Sequence, residues 1–324
     1  MRTGLRVTAF AAVLAATFGV AYGAGAVVDP LGAAPAAESA HGRDGSHDTS
    51  RGDGRPSASE GVGALGVSDG GYALDLDTPR LTAGERGELR FTVRDRQGRP
   101  VTDYHVEHKK ELHLVLVSRD LATYRHLHPE RAADGTWSAD VRLPRAGDHR
   151  LIADFRPKAG DAAPRTLGAD LAVAGDYRPR PLAEPSATAT VDDYTVTLEG
   201  GLTPGRPGEL RLTVSRDGAP VTDLEPYLGA YGHLVAVRAG DLGYLHVHPG
   251  GGADSGEARP GPDVAFTAIA PSAGAYRLFL DFRHGGEVRT ASLTLDVPAA
   301  AGSAKPDPAE QPDPTEQPDA GHDH

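Results

Sequence analysis

The chain contains no cysteine, and its only methionine is Met1. The absence of cysteine excludes disulfide scaffolds, thiolate zinc fingers, catalytic cysteines and the thiolate ligand of blue-copper sites. A Cu(I) site built on thioether or thiolate sulfur is excluded as well. Any metal ion held by this protein must therefore be bound by imidazole, carboxylate, tyrosine or backbone oxygen.

Positive charge is scarce relative to negative charge. Lysine and arginine total 33 against 45 aspartates and glutamates, which gives a net charge of -12 at pH 7. Because proteins neutralise nucleic-acid phosphates with clustered lysine and arginine, nucleic acid is not expected as a partner. The sequence also lacks a Walker motif and an H-E-x-x-H motif, which removes two common signatures of catalysis.

The N-terminus combines basic residues with an uncharged apolar run. Arg2 and Arg6 precede residues 7–28, which are mostly Ala, Val, Gly and Phe. This pattern is typical of a secretory signal peptide, and a run of about 20 apolar residues can also span a bilayer. Residues 1–28 are therefore predicted to be a signal peptide or an N-terminal membrane anchor. In both cases the remainder is extracytoplasmic, either secreted or anchored to the membrane through this segment alone.

Composition divides the rest of the chain into five segments. Residues 29–69 contain hardly any large apolar side chain and are predicted to be a disordered linker. Residues 299–324 form an acidic, Pro-rich tail that is predicted to be disordered. Between them lie two globular segments, 70–175 and 190–298, separated by a Pro-rich linker over 176–189.

The two globular segments are copies of one another. They carry similar pieces in the same order, so the sequence predicts an internal duplication. The matching pieces are GELRFTV and GELRLTV from Gly87 and Gly208, GRPVTD and GAPVTD ending at Asp103 and Asp223, and LIADFR and LFLDFR, which align Asp154 with Asp281.

Each copy consists of short β-rich runs separated by Gly, Pro and Asp turns. About seven strands in about 100 residues indicate a sandwich. The G-E-L-x-x-T-V and G-x-P-V-T-D pieces resemble the front strands of immunoglobulin-like domains in exported bacterial proteins. The two-copy pattern resembles secreted bacterial copper-handling proteins with immunoglobulin-like or cupredoxin-like sandwiches. The predicted fold is all-β, with two tandem immunoglobulin-like β-sandwich domains and disordered ends.

Both copies contain a lone histidine thirteen residues before an H-x-H-P motif. The first reads HLVLVSRDLATYRHLHP and the second HLVAVRAGDLGYLHVHP. A hairpin with a two-residue turn at Arg119-Asp120 would place His113 opposite His126. The same arithmetic in the second copy places the turn at Ala239-Gly240 and His233 opposite His246. Because alternate residues of a strand share a face, the second histidine of each H-x-H would join the same patch.

Three imidazoles on one face, with a fourth position open, make a recognised site for transition metals. A one-residue slip in the turn would send the lone histidine to the opposite face, so the prediction depends on the register. The predicted ligands of Cu(II) or Zn(II) are His113, His126 and His128 in the first copy and His233, His246 and His248 in the second, with Glu111 and Tyr231 as additional candidates.

Other polar residues are predicted to be structural. The aligned aspartates Asp154 and Asp281 are expected in a salt bridge or turn rather than as ligands. His149 aligns with a tyrosine and is expected to pack, whereas His105 and His108 are expected in a solvated loop. The remaining histidines considered lie in the predicted disordered ends, namely His41, His47, His322 and His324.

These features predict an exported, non-enzymatic metal-binding protein that buffers the ion or delivers it to an envelope protein. Copper is favoured over zinc by the resemblance to copper-handling proteins. Because protons compete for imidazole, whose ordinary pKa is about 6.5, binding is expected to be lost through about pH 5 to 6. One alternative is an envelope module that binds protein or glycan and uses the histidines structurally. A lesser alternative is a three-histidine metalloenzyme, a zinc-dependent hydrolase or hydratase.

Overall fold

The computed structural model describes residues 63–160, 163–245, 247–249 and 259–299. These residues form strands, turns and loops without a helix, which confirms the all-β prediction. It follows that none of them forms an apolar helix long enough to cross a membrane. The predicted signal peptide or anchor over 1–28 and the acidic tail from residue 300 onward lie outside the described residues.

The first repeat is a sandwich of two five-stranded sheets. One sheet has the spatial order β1 (Ser68–Asp69), β2 (Tyr72–Leu76), β4 (Arg86–Arg94), β8 (Thr136–Arg142) and β7 (Glu130–Arg131). The other has the order β3 (Arg80–Thr82), β10 (Arg165–Ala174), β9 (Gly147–Phe155), β5 (Leu112–Ser118) and β6 (Tyr124–Leu127). The pairs are antiparallel except for β3 with β10.

The second repeat has a similar arrangement, with six strands in one sheet and four in the other. One sheet follows the order β11 (Thr188–Val191), β12 (Tyr194–Gly200), β13 (Pro207–Arg216), β18 (Asp263–Ile269) and β17 (Val247–Pro249), with β14 (Ala219–Pro220) also paired to β13. The other follows β16 (Tyr244–Leu245), β15 (His233–Arg238), β19 (Gly274–His284) and β20 (Glu287–Val297). In each repeat the chain crosses between sheets within or directly after the H-x-H-P segment.

Side-chain alternation explains why these segments are strands. In β13, Leu210, Leu212 and Val214 point into the core of the second repeat, while Glu209 and Arg211 do not belong to that core. This two-residue period is the pattern of a strand with one buried face. Each repeat has its own core of buried apolar side chains. Burial of each large apolar side chain contributes about 1.5 to 3 kcal/mol to the free energy of folding.

Strand β5 departs from that pattern because it is buried on both faces. Its residues Leu112, Leu114 and Leu116 belong to the core of the first repeat. The intervening Val115 and Val117 belong to a separate apolar cluster that also contains residues of the second repeat. The run LHLVLV is apolar apart from His113 because the second repeat covers the face of β5 that points away from the core of the first repeat.

The two repeats pack against each other through equivalent faces. The cluster between them contains matching residues from each copy: Val115 with Val235, Val117 with Val237, Tyr124 with Tyr244, and Ile152 with Phe279. The ring of Tyr124 stacks on that of Phe279, with centroids 4.2 Å apart and an interplanar angle of 6°. The duplicated chain therefore forms an internal contact of like surfaces with like, as a symmetric dimer does between subunits.

The predicted two-residue turn at Arg119-Asp120 is wrong. Val117 pairs with Tyr124 and Val115 with His126, so the connection is a four-residue loop over 119–122. The side chain of Ser118 stabilises this loop by accepting hydrogen bonds from the backbone NH groups of residue 123 at 2.8 Å and residue 122 at 3.2 Å. The longer loop places position 113 opposite 128 instead of 126.

The turn predicted at Ala239-Gly240 is wrong for the same reason. Val237 pairs with Tyr244, and the backbone NH of Arg238 donates to the carbonyl of residue 243 at 2.8 Å, closing a loop over 239–242. Asp241 stabilises this loop by forming an ion pair with Arg238 and accepting the NH of residue 243 at 3.0 Å. In both hairpins the shift is two residues, which changes the opposed pairs and leaves every side chain on its predicted face.

Candidate metal centre

The three histidines of the first hairpin converge. His113 lies in β5, His126 lies in β6, and His128 follows β6 directly. The ring centroids are 5.5 Å apart for His113 and His126, 4.8 Å for His126 and His128, and 5.4 Å for His113 and His128. One nitrogen from each ring can be chosen so that all three lie within 4.8 Å of one another. The structure therefore brings these predicted residues into one cluster.

Neighbouring acceptors determine which nitrogen of each ring carries hydrogen. His113 Nε2 lies 3.1 Å from the backbone oxygen of Glu107, which can only accept a hydrogen bond. His126 Nδ1 lies 3.0 Å from Oδ2 of Asp281. That carboxylate already accepts hydrogen bonds from the hydroxyls of Tyr124 at 3.1 Å and Thr290 at 2.5 Å. His113 is consequently protonated on Nε2 and His126 on Nδ1.

The two remaining nitrogens, His113 Nδ1 and His126 Nε2, are 3.2 Å apart. When both rings are neutral, each of these nitrogens presents a lone pair to the other, an unfavourable contact that a shared metal ion would relieve. Two nitrogens bound to one tetrahedral zinc ion at about 2.0 to 2.1 Å lie about 3.3 Å from each other. The observed separation therefore matches two ligands of a single ion.

His128 supplies a third nitrogen. Its Nε2 is buried and has no hydrogen-bond partner among the described residues. Leaving a buried polar atom unpaired costs about 1 to 3 kcal/mol, which a metal bond would offset. Burial, reinforced by the neighbouring His126, lowers the pKa of His113 and of His128 to about 3. Both rings are thus neutral at pH 7, the form in which imidazole binds metal.

A cavity of about 460 Å³ adjoins the cluster and is lined by residues of both repeats. His233 of the second repeat faces it, with its ring centroid 6.1 Å from that of His126 and 5.6 Å from that of His108. Burial lowers the pKa of His233 to about 4. His233 Nε2 donates to the backbone oxygen of Tyr227 at 2.7 Å, as His113 does to Glu107.

The predicted second cluster is only partly described. His246 lies outside the described residues, and for His248 the structure gives the backbone position alone, within β17. His233 is held in the same way as its counterpart His113 in the first repeat. The grouping of these three histidines therefore stays a prediction.

The additional candidates occupy other positions. Glu111 was expected opposite His128, which is wrong because the four-residue loop shifts the pairing. Its two carboxylate oxygens instead accept hydrogen bonds from Arg131 at 3.1 and 3.3 Å. Tyr231 packs against the core of the second repeat. Both side chains therefore have structural partners.

His149 and His108 agree with their predictions, whereas His105 lies in a loop but is half-buried. His149 is buried, and its Nδ1 donates to the backbone oxygen of Gly147 at 3.0 Å, consistent with packing. His108 is exposed, although its ring also lies 5.9 Å from that of His113. His41, His47, His322 and His324 lie outside the described residues.

Sequence reasoning missed the role of Asp281. This residue lies within β19 rather than in a turn, and it is 1% exposed. Its partners are a histidine and a tyrosine of the other repeat and a threonine of the neighbouring strand. The available signal was the duplication itself, since Asp154 and Asp281 occupy equivalent positions, each paired with the strand of a lone histidine.

Several solved structures resemble this chain weakly. The Escherichia coli adhesin FdeC is 19% identical, with 72% of this chain and 65% of that chain covered and a TM-score of 0.24. The Yersinia pseudotuberculosis adhesin InvE is 12% identical, with coverages of 70% and 59% and a TM-score of 0.21. Domains 5-6 of the S-layer protein SbsC are 12% identical, with coverages of 71% and 98% and a TM-score of 0.22. The chain spans less than two thirds of either adhesin.

Similarities at these scores carry no information on function. No curated protein matches the sequence. A family model described as a domain of unknown function, DUF8832, matches the chain twice, over residues 66–173 and 189–299. The double match confirms the internal duplication, and it covers more than half of the sequence. The chain therefore belongs to the DUF8832 family, with two copies of its domain.

Proposed function

We propose that this protein binds one Zn(II) or Cu(II) ion at His113, His126 and His128. The observation that carries the proposal is the pair of facing nitrogens, His113 Nδ1 and His126 Nε2, which lie 3.2 Å apart. The buried, unpartnered Nε2 of His128 supports it. Imidazole nitrogens without thiolate suit Zn(II) and Cu(II), and the resemblance to copper-handling proteins favours copper.

The proposed role is non-enzymatic buffering or delivery of the ion outside the cytoplasm, to an envelope protein in the case of delivery. Three protein ligands leave a fourth position through which an ion can be exchanged. A hydrolytic or hydrating enzyme would also need a free general base beside the ion. The nearby carboxylates of Glu111 and Asp281 are already engaged by Arg131, Tyr124 and Thr290. The apolar N-terminal segment supports export, with secretion or anchoring as the two forms.

Metal titration tests the proposal. We expect a protein in which His41, His47, His322 and His324 are replaced by serine to bind Zn(II) and Cu(II) tighter than micromolar at pH 7.5. The double variant His126→Ala, His128→Ala should lose one bound ion, whereas His105→Ala should bind as the parent does. A second ion would be bound if His233, His246 and His248 form an equivalent site. Absence of binding at micromolar concentration would defeat the proposal.

The second candidate is an envelope module that presents loops to a protein or glycan. A pair of tandem sandwiches suits such a role. In that case the histidine cluster would be architectural. The same titration separates the two candidates, since the module requires no ion.

A further inference from the structure

The hairpin that carries the three histidines belongs to the first repeat, yet one of its histidines is held by the second. We propose that Asp281 of the second repeat positions His126 for metal binding, so that both repeats build a single metal centre. This inference rests on the proposed function and adds the residue that orients a ligand. Asp281 is a positioning residue here, because its carboxylate contacts the ligand's ring and not the ion.

The geometry of the contact supports this role. Asp281 Oδ2 lies 3.0 Å from His126 Nδ1, and the two side chains are 2% and 8% exposed. The same oxygen accepts the Tyr124 hydroxyl at 3.1 Å, and Oδ1 accepts the Thr290 hydroxyl at 2.5 Å. Both oxygens are thus fixed by donors, which leaves the carboxylate with one orientation. It accepts the Nδ1 hydrogen of His126 and turns Nε2 toward His113.

A carboxylate behind a metal-binding histidine acts in two ways. It fixes the tautomer and the ring orientation, and it raises the basicity of the nitrogen that binds the ion. Removing such a partner typically weakens metal affinity about 10-fold to 100-fold. In this protein the partner comes from the other repeat, so the site is complete only when the two repeats are packed together.

Part of this arrangement occurs in reverse across the contact, although His246, the counterpart of His126, lies outside the described residues. Asp154 of the first repeat accepts the hydroxyl of Thr166 at 2.9 Å, and the two residues are directly paired across β9 and β10. Thr290 and Asp281 are paired in the same manner across β20 and β19. Burial and the nearby charge of Asp154 raise the pKa of Tyr244, the counterpart of Tyr124. The duplication has therefore retained a carboxylate, its threonine and the opposing tyrosine in both directions.

The test compares Asp281→Asn with its parent, the protein whose terminal histidines are serine and in which His246 and His248 are alanine. This background leaves one predicted site. We expect Zn(II) affinity, measured by competition with a chromophoric chelator, to fall about 10-fold to 100-fold in Asp281→Asn. The electron paramagnetic resonance spectrum of bound Cu(II) should also change, because the ring of His126 is no longer fixed. A role confined to folding would leave that spectrum unaltered.

Asp170→Asn is the control, since it removes a carboxylate whose side chain is 84% exposed and that is not among the residues lining the cavity. It should leave the affinity of this site and the Cu(II) spectrum unchanged. Equal affinity and identical spectra for Asp281→Asn and its parent would overturn the inference while the proposed function stands. If the parent itself binds no ion, the proposed function fails and the inference fails with it.

Nitrogen-15 nuclear magnetic resonance of the metal-free parent provides a test without a variant, should Asp281→Asn not fold. Long-range proton–nitrogen correlations report which imidazole nitrogen carries hydrogen. We expect His126 to be protonated on Nδ1 and unprotonated on Nε2 at pH 7.5. A ring protonated on Nε2 alone would show that Asp281 does not hold it, and would overturn the inference.

Discussion

Two acceptors of different kinds orient the imidazoles at the centre of the cluster. The backbone oxygen of Glu107 holds His113, and the carboxylate of Asp281 holds His126. Sequence spacing could predict that these histidines share a face, because the period of a strand is two residues. It could not predict the tautomers, since one acceptor is a backbone atom and the other lies 155 residues away in the chain.

At the residue scale, two substitutions of Tyr124 distinguish the contribution of its hydrogen bond to stability from the contribution of its packing. Tyr124→Phe removes the hydroxyl that donates to Asp281 and keeps the ring stacked on Phe279. We expect a loss of about 1.5 to 3 kcal/mol in the free energy of unfolding, because the acceptor is a charged carboxylate. Tyr124→Ala should lose about 3 to 5 kcal/mol, since the aromatic ring is buried in the contact between repeats.

Chemical denaturation monitored by circular dichroism measures both losses. Tyr177→Phe is the control, because that side chain is 48% exposed, and its unfolding free energy should stay within about 0.5 kcal/mol of wild type. Equal stability of Tyr124→Phe and wild type would show that the hydroxyl contributes nothing to the contact.

The hairpin is the element on which the site depends. Short β-rich runs between turn residues predicted its strands, whereas the length of the loop depends on side-chain hydrogen bonds that a two-residue turn would not contain. Ser118 accepts two backbone NH groups and donates to Asp120 at 2.6 Å, which extends the loop to four residues. The prediction of a shared face survived this error because a shift of two residues conserves the side of the sheet.

Ser118→Ala tests the loop. The substitution leaves backbone NH groups of residues 122 and 123 without their side-chain acceptor, so we expect a loss of about 1 to 2 kcal/mol in the free energy of unfolding. Metal affinity should fall as well, because the loop sets the pairing of β5 with β6. Ser215→Ala, which removes a single hydroxyl donor to the backbone oxygen of Thr195 at 3.1 Å, is the control and should leave metal affinity unchanged. Wild-type stability and affinity in Ser118→Ala would contradict this account of the loop.

At the scale of the whole molecule, the duplication was evident from matching sequence pieces. The number of short β-rich runs in each copy indicated a sandwich. The face-to-face packing of the repeats was not evident from the sequence, because the sequence pattern alone cannot distinguish residues such as Val115 and Val235 from core residues. Double burial of β5 and β15 is what brings Asp281 to His126 and His233 to the same cavity. One three-histidine site per repeat was predicted, and the structure places His113 and His126 of the first repeat and His233 of the second around one cavity.

Burial of neutral histidines makes the stability of the metal-free protein depend on pH. The pKa of His113 is lowered to about 3 in the fold from an ordinary value near 6.5. The unfolded chain therefore takes up a proton below about pH 6.5 that the folded chain does not. Stability should be constant above that pH and fall as the pH drops toward 3. For His113 alone the loss at pH 5 is about 2 kcal/mol.

Denaturation midpoints of the metal-free protein at several pH values measure this dependence, and His113→Gln should reduce it, with His128 and His233 supplying the remainder. Protons also compete with the bound ion for the imidazole nitrogens, but at lower pH than the ordinary imidazole pKa suggests. Release of the ion below about pH 5 should therefore accompany unfolding. A metal-free protein whose stability is unchanged between pH 7.5 and pH 5 would contradict the burial of neutral imidazoles.

X-ray absorption spectroscopy at the zinc edge, on protein loaded with one equivalent of Zn(II) and desalted, tests the central claim most directly. The background with serine at the terminal histidines and alanine at His246 and His248 confines the ion to the first hairpin. We predict three imidazole nitrogens at about 2.0 to 2.1 Å, with the multiple-scattering pattern of histidine rings, and one oxygen ligand. Loss of zinc on desalting, or a shell of oxygens without imidazole scattering, would contradict the assignment of His113, His126 and His128 as a metal centre.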